Sequence, residues 1–243
     1  MAKLNIGDRQ LFYTSTGSGI PTVIFEAGLG DTSEIWVKVQ PVIAEHTQTF
    51  SYDRAGLGQS DPAPKPRTSQ DTVDDLKLLL TGAHISPPYI LVGHSFGGMI
   101  VRLFASQHPE DVVGMVLVDA THEDRTSEFE KVLSEELIVR NRAYLVDPSR
   151  NSETLDRIKS DEQARNARMQ FDFPLVVLSR GLPDEASDVW PSADLQRVEQ
   201  DLQRELLKLS PNSSLVIAEK SGHFIQRDQS ELVIEAIRKL MGK

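Results

Sequence analysis

The chain has 243 residues, enough for one large core, and α/β layers of this length commonly form a single domain. Its formal net charge of −10 argues against nucleic acid or an anionic membrane as a partner, because both require a basic patch on the protein. Cysteine is absent, which excludes disulfides, thiolate chemistry and cysteine-bound metals. The first thirty residues contain no recognisable secretory signal, and no apolar run approaches the roughly 20 residues of a membrane span. We therefore expect a cytoplasmic protein.

Short runs rich in β-branched and aromatic residues alternate with helix-length amphipathic segments. This alternation is typical of a mostly parallel sheet covered by helices on both faces. Seven runs are predicted strands: residues 11–14, 22–25, 49–52, 89–92, 113–118, 175–178 and 214–218. Four segments are predicted helices: residues 71–81, 96–107, 193–209 and 231–241. The helix at 71–81 follows a capping sequence that begins at Thr68, and the helix at 96–107 is apolar nearly all round, which predicts burial.

Residues 121–172 interrupt this alternation. They contain no convincing strand, but two charged stretches, 128–145 and 152–169, are prone to form helices. An insertion of this length between two buried strands is too long for an ordinary connection and is typical of a lid or binding element. We predict a helical cap at 121–172, inserted into a core domain formed by residues 1–120 and 173–243.

Apolar residues of the predicted cap have two possible roles. They line a ligand pocket or they pack the cap onto the core, and we expect packing for most of them. The residues concerned are Phe129, Leu133, Leu137, Ile138 and Leu145.

The stretch LVGHSFGG, residues 91–98, places Ser95 between Gly93 and Gly97, after a predicted strand and before a predicted helix. This context is typical of a nucleophile elbow, where the serine adopts strained backbone angles and flanking side chains would clash with the strand and helix. The helix that follows directs its N-terminal amides at the reacting centre. The alternative is that Ser95 only caps the helix. We predict that Ser95 is a nucleophile.

Over nearly its whole length the chain resembles the α/β-hydrolase fold family. Besides the elbow, residues 52–60 (YDRAGLGQS) resemble the family's D-x-x-G-x-G-x-S turn, and His223 lies about twenty residues from the C-terminus, as the family's catalytic histidine does. The resemblance implies an α/β fold with an eight-stranded, mostly parallel sheet, helices on both faces and a small helical cap.

A serine nucleophile needs a neighbouring base, and His223 is the best candidate because it follows the last predicted strand, at the same sheet edge as Ser95. His122, where the sheet meets the cap, is a weaker candidate for lining the pocket. The other four histidines are expected to have structural roles. Three lie near predicted helix ends, and His94 lies inside the elbow, where we expect it to face away from substrate. They are His46, His84, His94 and His108.

The resemblance implies an oxyanion hole made by two backbone amides. One is the amide of Phe96, after the nucleophile, and the other, matched by position, is the amide of Leu29 in the loop after the second predicted strand. Ala27 stands where the family usually has a histidine, which removes a side chain that braces this loop. Glu26 is a candidate replacement, the alternative being a solvent-facing carboxylate.

Two carboxylates are candidates for the acid that orients His223. Asp119 lies 24 residues after Ser95 (119 − 95) at the end of a predicted strand, a placement that resembles haloalkane dehalogenases and pancreatic-type lipases. Asp184 follows the next predicted strand, where the family most often has its acid, but it lies near Glu185 and Asp188 in an acidic stretch. Position favours Asp119, and Asp184 stays open as the alternative acid.

Serine at the elbow excludes the branches of the family that use aspartate as the nucleophile. The remaining reaction class is acyl transfer. The sequence predicts a serine esterase acting on a small-molecule acyl substrate through a Ser-His-Asp triad. The same residues would serve lactone, thioester, amide or carbon–carbon bond hydrolysis, or acyl transfer, and a non-catalytic ligand receptor is a further alternative. No metal or organic cofactor is expected, because no histidine pair shares a helix face and no dinucleotide motif follows a strand.

Overall fold

A computed structural model describes residues 1–184 and 190–242; the predicted acidic residues Glu185 and Asp188 lie outside this range. The strands form one sheet in the order β1-β2-β4-β3-β5-β6-β7-β8. They are β1 (Ala2–Asn5), β2 (Gln10–Thr16), β3 (Thr22–Glu26), β4 (Thr49–Tyr52), β5 (Tyr89–His94), β6 (Val112–Val118), β7 (Leu175–Arg180) and β8 (Ser213–Ala218). Strand β2 pairs antiparallel with β1 and β4, and the remaining pairs are parallel. The predicted mostly parallel α/β sheet is therefore confirmed.

Helices cover both faces of this sheet. The α-helices of the described residues are α1 (Gln40–Ala44), α2 (Ser69–Gly82), α3 (Phe96–Gln107), α4 (Arg125–Glu130), α5 (Glu135–Leu145), α6 (Arg157–Asn166), α7 (Ser192–Leu206), α8 (Ile225–Asp228) and α9 (Ser230–Leu240). The helix α2 begins at a capping box, in which the backbone amide of Thr68 donates to Asp71 Oδ2 over 2.7 Å. No helix in the described part of the chain combines the length and apolarity needed to cross a bilayer.

Successive residues of the central strands point to opposite faces and build two apolar cores. On β5, Leu91 joins the core beneath α2 and α3, whereas Ile90 and Val92 join the core beneath α1 and α9. Both faces are buried because each is covered by helices, which explains why these strands read as continuous apolar runs rather than alternating ones. The arrangement leaves the carboxyl ends of the parallel strands at one edge of the sheet.

The β6–β7 connection, residues 121–172, contains α4, α5 and α6. The first predicted helical stretch breaks in two, because Ser134 caps a new helix by accepting a hydrogen bond from the Leu137 amide. The second starts later than predicted, at Arg157, because residue Leu155 instead pairs with Arg67 in a β-bridge.

Three of the five apolar residues singled out in this connection pack against α7. Phe129, Leu133 and Leu137 form a separate apolar cluster with Leu195 of that helix, and Ile138 packs against it. Leu145 lines a surface pocket formed by α4, α5 and α6. The first four side chains therefore pack the connection against α7, and none of the five lines the cavity described next.

Candidate active site

One cavity lies at the carboxyl edge of the sheet. Ser95 follows β5, Asp119 follows β6, Arg180 ends β7 and His223 follows β8, and all four side chains line a cavity of about 210 Å³. Side chains at the carboxyl ends of neighbouring parallel strands meet at one edge, which is where α/β folds bind their ligands. The volume is below that of a pocket for a drug-sized molecule and suits a small ligand.

Ser95 occupies the tip of a strained turn between β5 and α3. Its φ of 51° and ψ of −122° are unusual for a residue with a side chain. A Cβ at Gly97 would lie 2.5 Å from the carbonyl oxygens of Glu26 and Ala27, and one at Gly93 would lie 2.7 Å from the Gly97 carbonyl oxygen. Glycine is therefore required on both sides of the serine, as the elbow interpretation predicts.

His223 is in hydrogen-bond contact with Asp119. The distance from His223 Nδ1 to Asp119 Oδ2 is 2.6 Å, and the other oxygen of the carboxylate accepts from the Arg180 backbone amide over 3.1 Å. Burial alone would raise the pKa of Asp119, but the hydrogen bond and charge of His223, together with the charge of Arg180, outweigh it and lower that pKa. Asp119 is thus an ionised carboxylate that faces an imidazole.

Asp184 lies on the rim of the same cavity but contacts a different residue. Its Oδ1 accepts a hydrogen bond from Arg180 Nη1 over 2.6 Å, and 61% of its side chain is exposed to solvent. Arg180 is also 3.4 Å from Asp119, so it lies between the two aspartates and binds both. Of the two candidate acids, the structure brings only Asp119 to His223.

Two backbone amides in the cavity wall have no acceptor in the part of the chain that the structure describes. Leu29 and Phe96 line the cavity with Ser95, and no hydrogen bond among the described residues uses the amide of either one. Phe96 begins α3, so its N–H has no partner within the helix and carries part of the positive end of the helix dipole. These are the amides that the sequence predicts as oxyanion donors.

Glu26, predicted either to brace the loop after β3 or to face solvent, is buried and braces it. It accepts hydrogen bonds from Tyr52 Oη over 2.6 Å and from Arg54 Nη1 over 2.5 Å. Arg54 in turn donates to the carbonyl oxygens of Ala27 and Gly28, at 2.7 Å and 2.5 Å. The backbone immediately before Leu29 is therefore fixed by a side chain that sequence reasoning missed.

The same arginine links the loop to the β6–β7 connection. Glu153 accepts from Arg54 Nε over 2.8 Å and from Arg54 Nη2 over 2.6 Å, and it also accepts from the Gly30 amide over 2.7 Å. Burial acts to lower the pKa of Arg54, but the carboxylates of Glu153 and Glu26 outweigh it and raise that pKa well above its usual value. A buried cluster of one arginine and two glutamates thus clamps the residues on both sides of Leu29.

A model of the α/β hydrolase fold matches residues 21–177, which is more than half of the chain. This chain belongs to the α/β hydrolase fold family. It is 34% identical over 225 residues to YqjL of Bacillus subtilis, an uncharacterized protein, and the alignment covers 91% of this chain and 83% of that protein. Membership of the family supports hydrolase activity.

Solved structures share the fold of this α/β hydrolase. An esterase from Thermogutta terrifontis matches with a TM-score of 0.68 and 19% identity, covering 96% of this chain and 93% of the esterase. The enol-lactonase from Burkholderia xenovorans matches with a TM-score of 0.72 and 14% identity, covering 100% of both chains. At such identities the likeness shows the fold alone.

His94, in the elbow of this hydrolase, contacts the backbone of the candidate base. His94 Nε2 lies 2.9 Å from the His223 carbonyl oxygen, and the two rings lie 4.6 Å apart between centroids. Burial, reinforced by His223, lowers the pKa of His94 to about 3, so the ring is neutral and its Nε2–H donates to that carbonyl. His94 is not among the residues that line the Ser95 cavity, and its hydrogen bond holds the loop that carries His223.

His122 does not line the Ser95 cavity. It faces a different surface pocket beside Arg168 and α7, and its Nδ1 accepts a hydrogen bond from the Asp124 amide over 3.0 Å. With Glu123 and Asp124 it forms one of two groups among the described residues that are spaced to hold a metal ion; the other is His108, Glu110 and Asp111. Glu123 already forms ion pairs with Arg102 and Arg168, so its charge is balanced without a metal.

The wall of the Ser95 cavity is more polar than the sequence suggests. Three arginines contribute to it: Arg125 and Arg157 from the β6–β7 connection, and Arg180 from β7. Glu199 of α7 is the carboxylate that accepts from Arg125 Nε, over 2.5 Å. No periodicity or motif in the sequence predicts that these residues line one cavity, because they are brought together only when the connection folds back over the sheet.

Asp161, on α6, has a buried oxygen for which the described residues supply no hydrogen-bond donor. Burial raises its pKa from 3.8 to about 6, despite the opposing charge of Arg157. The folded chain therefore binds this proton more tightly than the unfolded chain, and the free energy of unfolding should fall as the pH rises from 3.8 to about 6.

Replacing Asp161 by Asn should remove this pH-dependent loss of stability. We expect Asp161→Asn to be more stable than the wild type at pH 8 by about 1 to 3 kcal/mol, with a smaller difference at pH 4. Urea unfolding at both pH values measures this, and Glu162→Gln, an exposed neighbour on the same helix, is the matched control. An equal stability of Asp161→Asn and wild type at pH 8 would contradict the prediction.

Proposed function

We propose that this protein is a serine hydrolase that cleaves a small or medium carboxylic ester through an acyl-enzyme intermediate. The observation that carries the proposal is the 2.6 Å hydrogen bond between His223 Nδ1 and Asp119, in the cavity that also contains the elbow serine. This bond fixes the imidazole tautomer with its proton on Nδ1, so Nε2 is free to accept a proton.

In the proposed mechanism, Ser95 Oγ attacks the ester carbonyl carbon while its proton passes to His223 Nε2. The carbonyl oxygen becomes an oxyanion that accepts hydrogen bonds from the amides of Leu29 and Phe96. His223 then returns the proton to the leaving alcohol, and the acyl group stays on Ser95. Water, deprotonated by the same imidazole, attacks the acyl-enzyme and releases the acid, which restores Ser95.

Asp119 stabilises the imidazolium that forms in both steps. Its lowered pKa keeps the carboxylate charged, so the positive charge on His223 develops next to a negative one. His94 positions the base from the other side, through the His223 carbonyl. The α/β core thus supplies the proposed nucleophile, base, acid and oxyanion amides.

We further propose that residues 121–172 act as a cap over the core formed by residues 1–120 and 173–243. Two contacts support this division: Arg125 and Arg157 of the connection reach the cavity wall, and Glu153 binds the loop that carries Leu29. The cap would then set which molecules enter the cavity, while the core performs the chemistry.

A fluorophosphonate probe tests the proposal directly, because it labels only a serine that is activated as a nucleophile. We expect stoichiometric labelling of wild type, with the adduct on Ser95 by peptide mass spectrometry, and none in Ser95→Ala. Ser127→Ala, at an exposed position of α4, is the matched control and should be labelled like wild type.

The same proteins should be assayed with 4-nitrophenyl acetate and butyrate. Hydrolysis by wild type that Ser95→Ala lacks supports the proposal. Absence of both labelling and hydrolysis in wild type would instead favour a non-catalytic ligand receptor, and labelling that persists in Ser95→Ala would show that the nucleophile lies elsewhere.

A further inference from the structure

The three arginines of the Ser95 cavity differ in how their charges are balanced. Arg180 forms ion pairs with Asp119 and Asp184, at 3.4 Å and 2.6 Å. Arg125 forms an ion pair with Glu199 over 2.5 Å, and its guanidinium lies 4.1 Å from the centroid of the Phe129 ring. Both are therefore neutralised by carboxylates of the protein and held in place by them.

Arg157 has no such partner within residues 1–184 and 190–242. Its Nε is buried without a hydrogen bond, and among the described residues no carboxylate lies within ion-pairing distance of its guanidinium. Asp161, on the same helix, exerts the main opposing charge on Arg157, but the two side chains form no ion pair. Arginine stays protonated even where burial opposes the charge, so the cavity wall contains a cation that no described carboxylate pairs with.

Arg157 contacts the residue that follows the nucleophile and lines the same cavity as Ser95. Its guanidinium carbon lies 5.3 Å from the centroid of the Phe96 ring, and Phe96 is the residue next to Ser95. Arg157 is also the first residue of α6, which Asp156 caps by accepting a hydrogen bond from Lys159, so its backbone is fixed. An anion bound to Arg157 would thus lie within the length of one small molecule from the reacting serine.

We infer that Arg157 binds a carboxylate of the substrate, so that the substrates of this enzyme are small esters or lactones bearing a negative charge. The inference rests on the proposed hydrolase function. A guanidinium pairs with a carboxylate through two parallel hydrogen bonds, which supplies both affinity and orientation. In a cavity of about 210 Å³ the carboxylate and the scissile carbonyl of such a substrate are separated by only a few bonds.

Two matched substrate pairs test the inference, one for each side of the ester. In the first pair, the mono-4-nitrophenyl ester of adipic acid has a carboxylate at the end of its acyl chain, and the corresponding adipamate has a neutral amide there. The compounds 4-acetoxybenzoate and 4-acetoxybenzamide differ in the same way on the leaving-group side. For at least one pair, wild type should show a kcat/KM for the anion roughly 10- to 100-fold above that for the amide.

In Arg157→Gln this preference should disappear, because kcat/KM should fall much more for the anion than for the neutral member of the pair. Arg157→Lys should retain part of it, because the charge remains but the paired hydrogen bonds do not. The matched control is Lys159→Gln, which removes an exposed cation from the same helix and should leave the preference unchanged. An anionic preference that persists in Arg157→Gln, or its absence in wild type that hydrolyses neutral esters, would overturn the inference.

Binding provides a readout that does not depend on turnover. Adipate should bind the Ser95→Ala protein in calorimetry, and adding Arg157→Gln should weaken binding by a similar 10- to 100-fold. If no ester is hydrolysed but adipate binds through Arg157, the proposed function fails and the anion site stands. If neutral esters are hydrolysed and adipate binds equally to both proteins, the anion site fails and the proposed function stands.

Discussion

Replacing Asp119 by Asn is expected to lower kcat for 4-nitrophenyl butyrate by about 10⁴-fold, with the fold intact. An amide cannot balance the positive charge that develops on His223, and its NH₂ group favours the imidazole tautomer that places the proton on Nε2. The nitrogen that should accept the serine proton is then occupied. Near-ultraviolet circular dichroism and thermal unfolding check that the variant is folded.

Asp184→Asn is the matched control for this experiment. Its side chain is 61% exposed and binds Arg180 rather than His223, so we expect kcat to change less than about 3-fold. The two variants make the same chemical change on neighbouring strand ends and differ only in whether the carboxylate contacts the imidazole. A larger loss in Asp184→Asn than in Asp119→Asn would mean that the acid changes place when substrate binds.

The order of strands and helices was predictable because it depends on local patterns. All seven predicted strands are present, and α3 matches its predicted limits, since a buried strand and an apolar helix carry signals within a few residues. The edge strand β1 was not predicted. It is short and mostly exposed, so its sequence lacks the apolar pattern of a buried strand. The helices of residues 121–172 were misplaced where caps and a β-bridge outweigh helix propensity.

The sequence predicts which residues share the carboxyl edge of the sheet, but not how their side chains are oriented. That the elbow serine and the histidine after the last strand meet follows from the rule that parallel strands share one carboxyl edge. The choice between Asp119 and Asp184 depends on side-chain direction, which Arg180 sets by binding both carboxylates. Ser95, His223 and Asp119 line one cavity, in which Asp119 is hydrogen-bonded to His223, and their catalytic roles stay predictions.

Two kinds of residue could not be predicted from the sequence. Arg54 binds Glu153 across 99 positions, and no periodicity, spacing or motif links two such residues. Arg157 is the opposite case, because an unpaired cation is recognised only once the surrounding carboxylates are placed. Charge alone does not show whether a side chain is exposed, and several charged residues of this chain are buried in networks.

Replacing Arg54 by Met is expected to have the largest effect on stability of any substitution considered. It would leave Glu26 and Glu153 buried without their partner, and removing one member of a buried ion pair costs about 3 to 5 kcal/mol. Arg150→Met is the matched control. Arg150 lies on the surface of the same connection and pairs with exposed Asp147, so its loss should change the free energy of unfolding by less than about 1 kcal/mol. Urea unfolding measures both.

Activity should fall together with stability in Arg54→Met, because Arg54 holds the carbonyls of Ala27 and Gly28 beside the Leu29 amide. If Leu29 is an oxyanion donor, its displacement should lower kcat by up to about 10²-fold, whereas KM should change little. An Arg54→Met protein that is destabilised but retains wild-type kcat under folded conditions would place the oxyanion donor elsewhere.

A double variant distinguishes two effects of Arg54→Met: the loss of the hydrogen bonds to the loop carbonyls and the destabilisation caused by an unpaired buried carboxylate. Adding Glu153→Gln to Arg54→Met removes one buried carboxylate that has lost its partner, so part of the stability should return. The kcat should not recover, because the amide of glutamine does not replace the hydrogen bonds of Arg54 to the loop carbonyls. If stability and kcat recovered together, the role of the arginine would be to neutralise Glu153. If only stability recovers, the cluster links the position of the β6–β7 connection to the geometry of the proposed oxyanion hole.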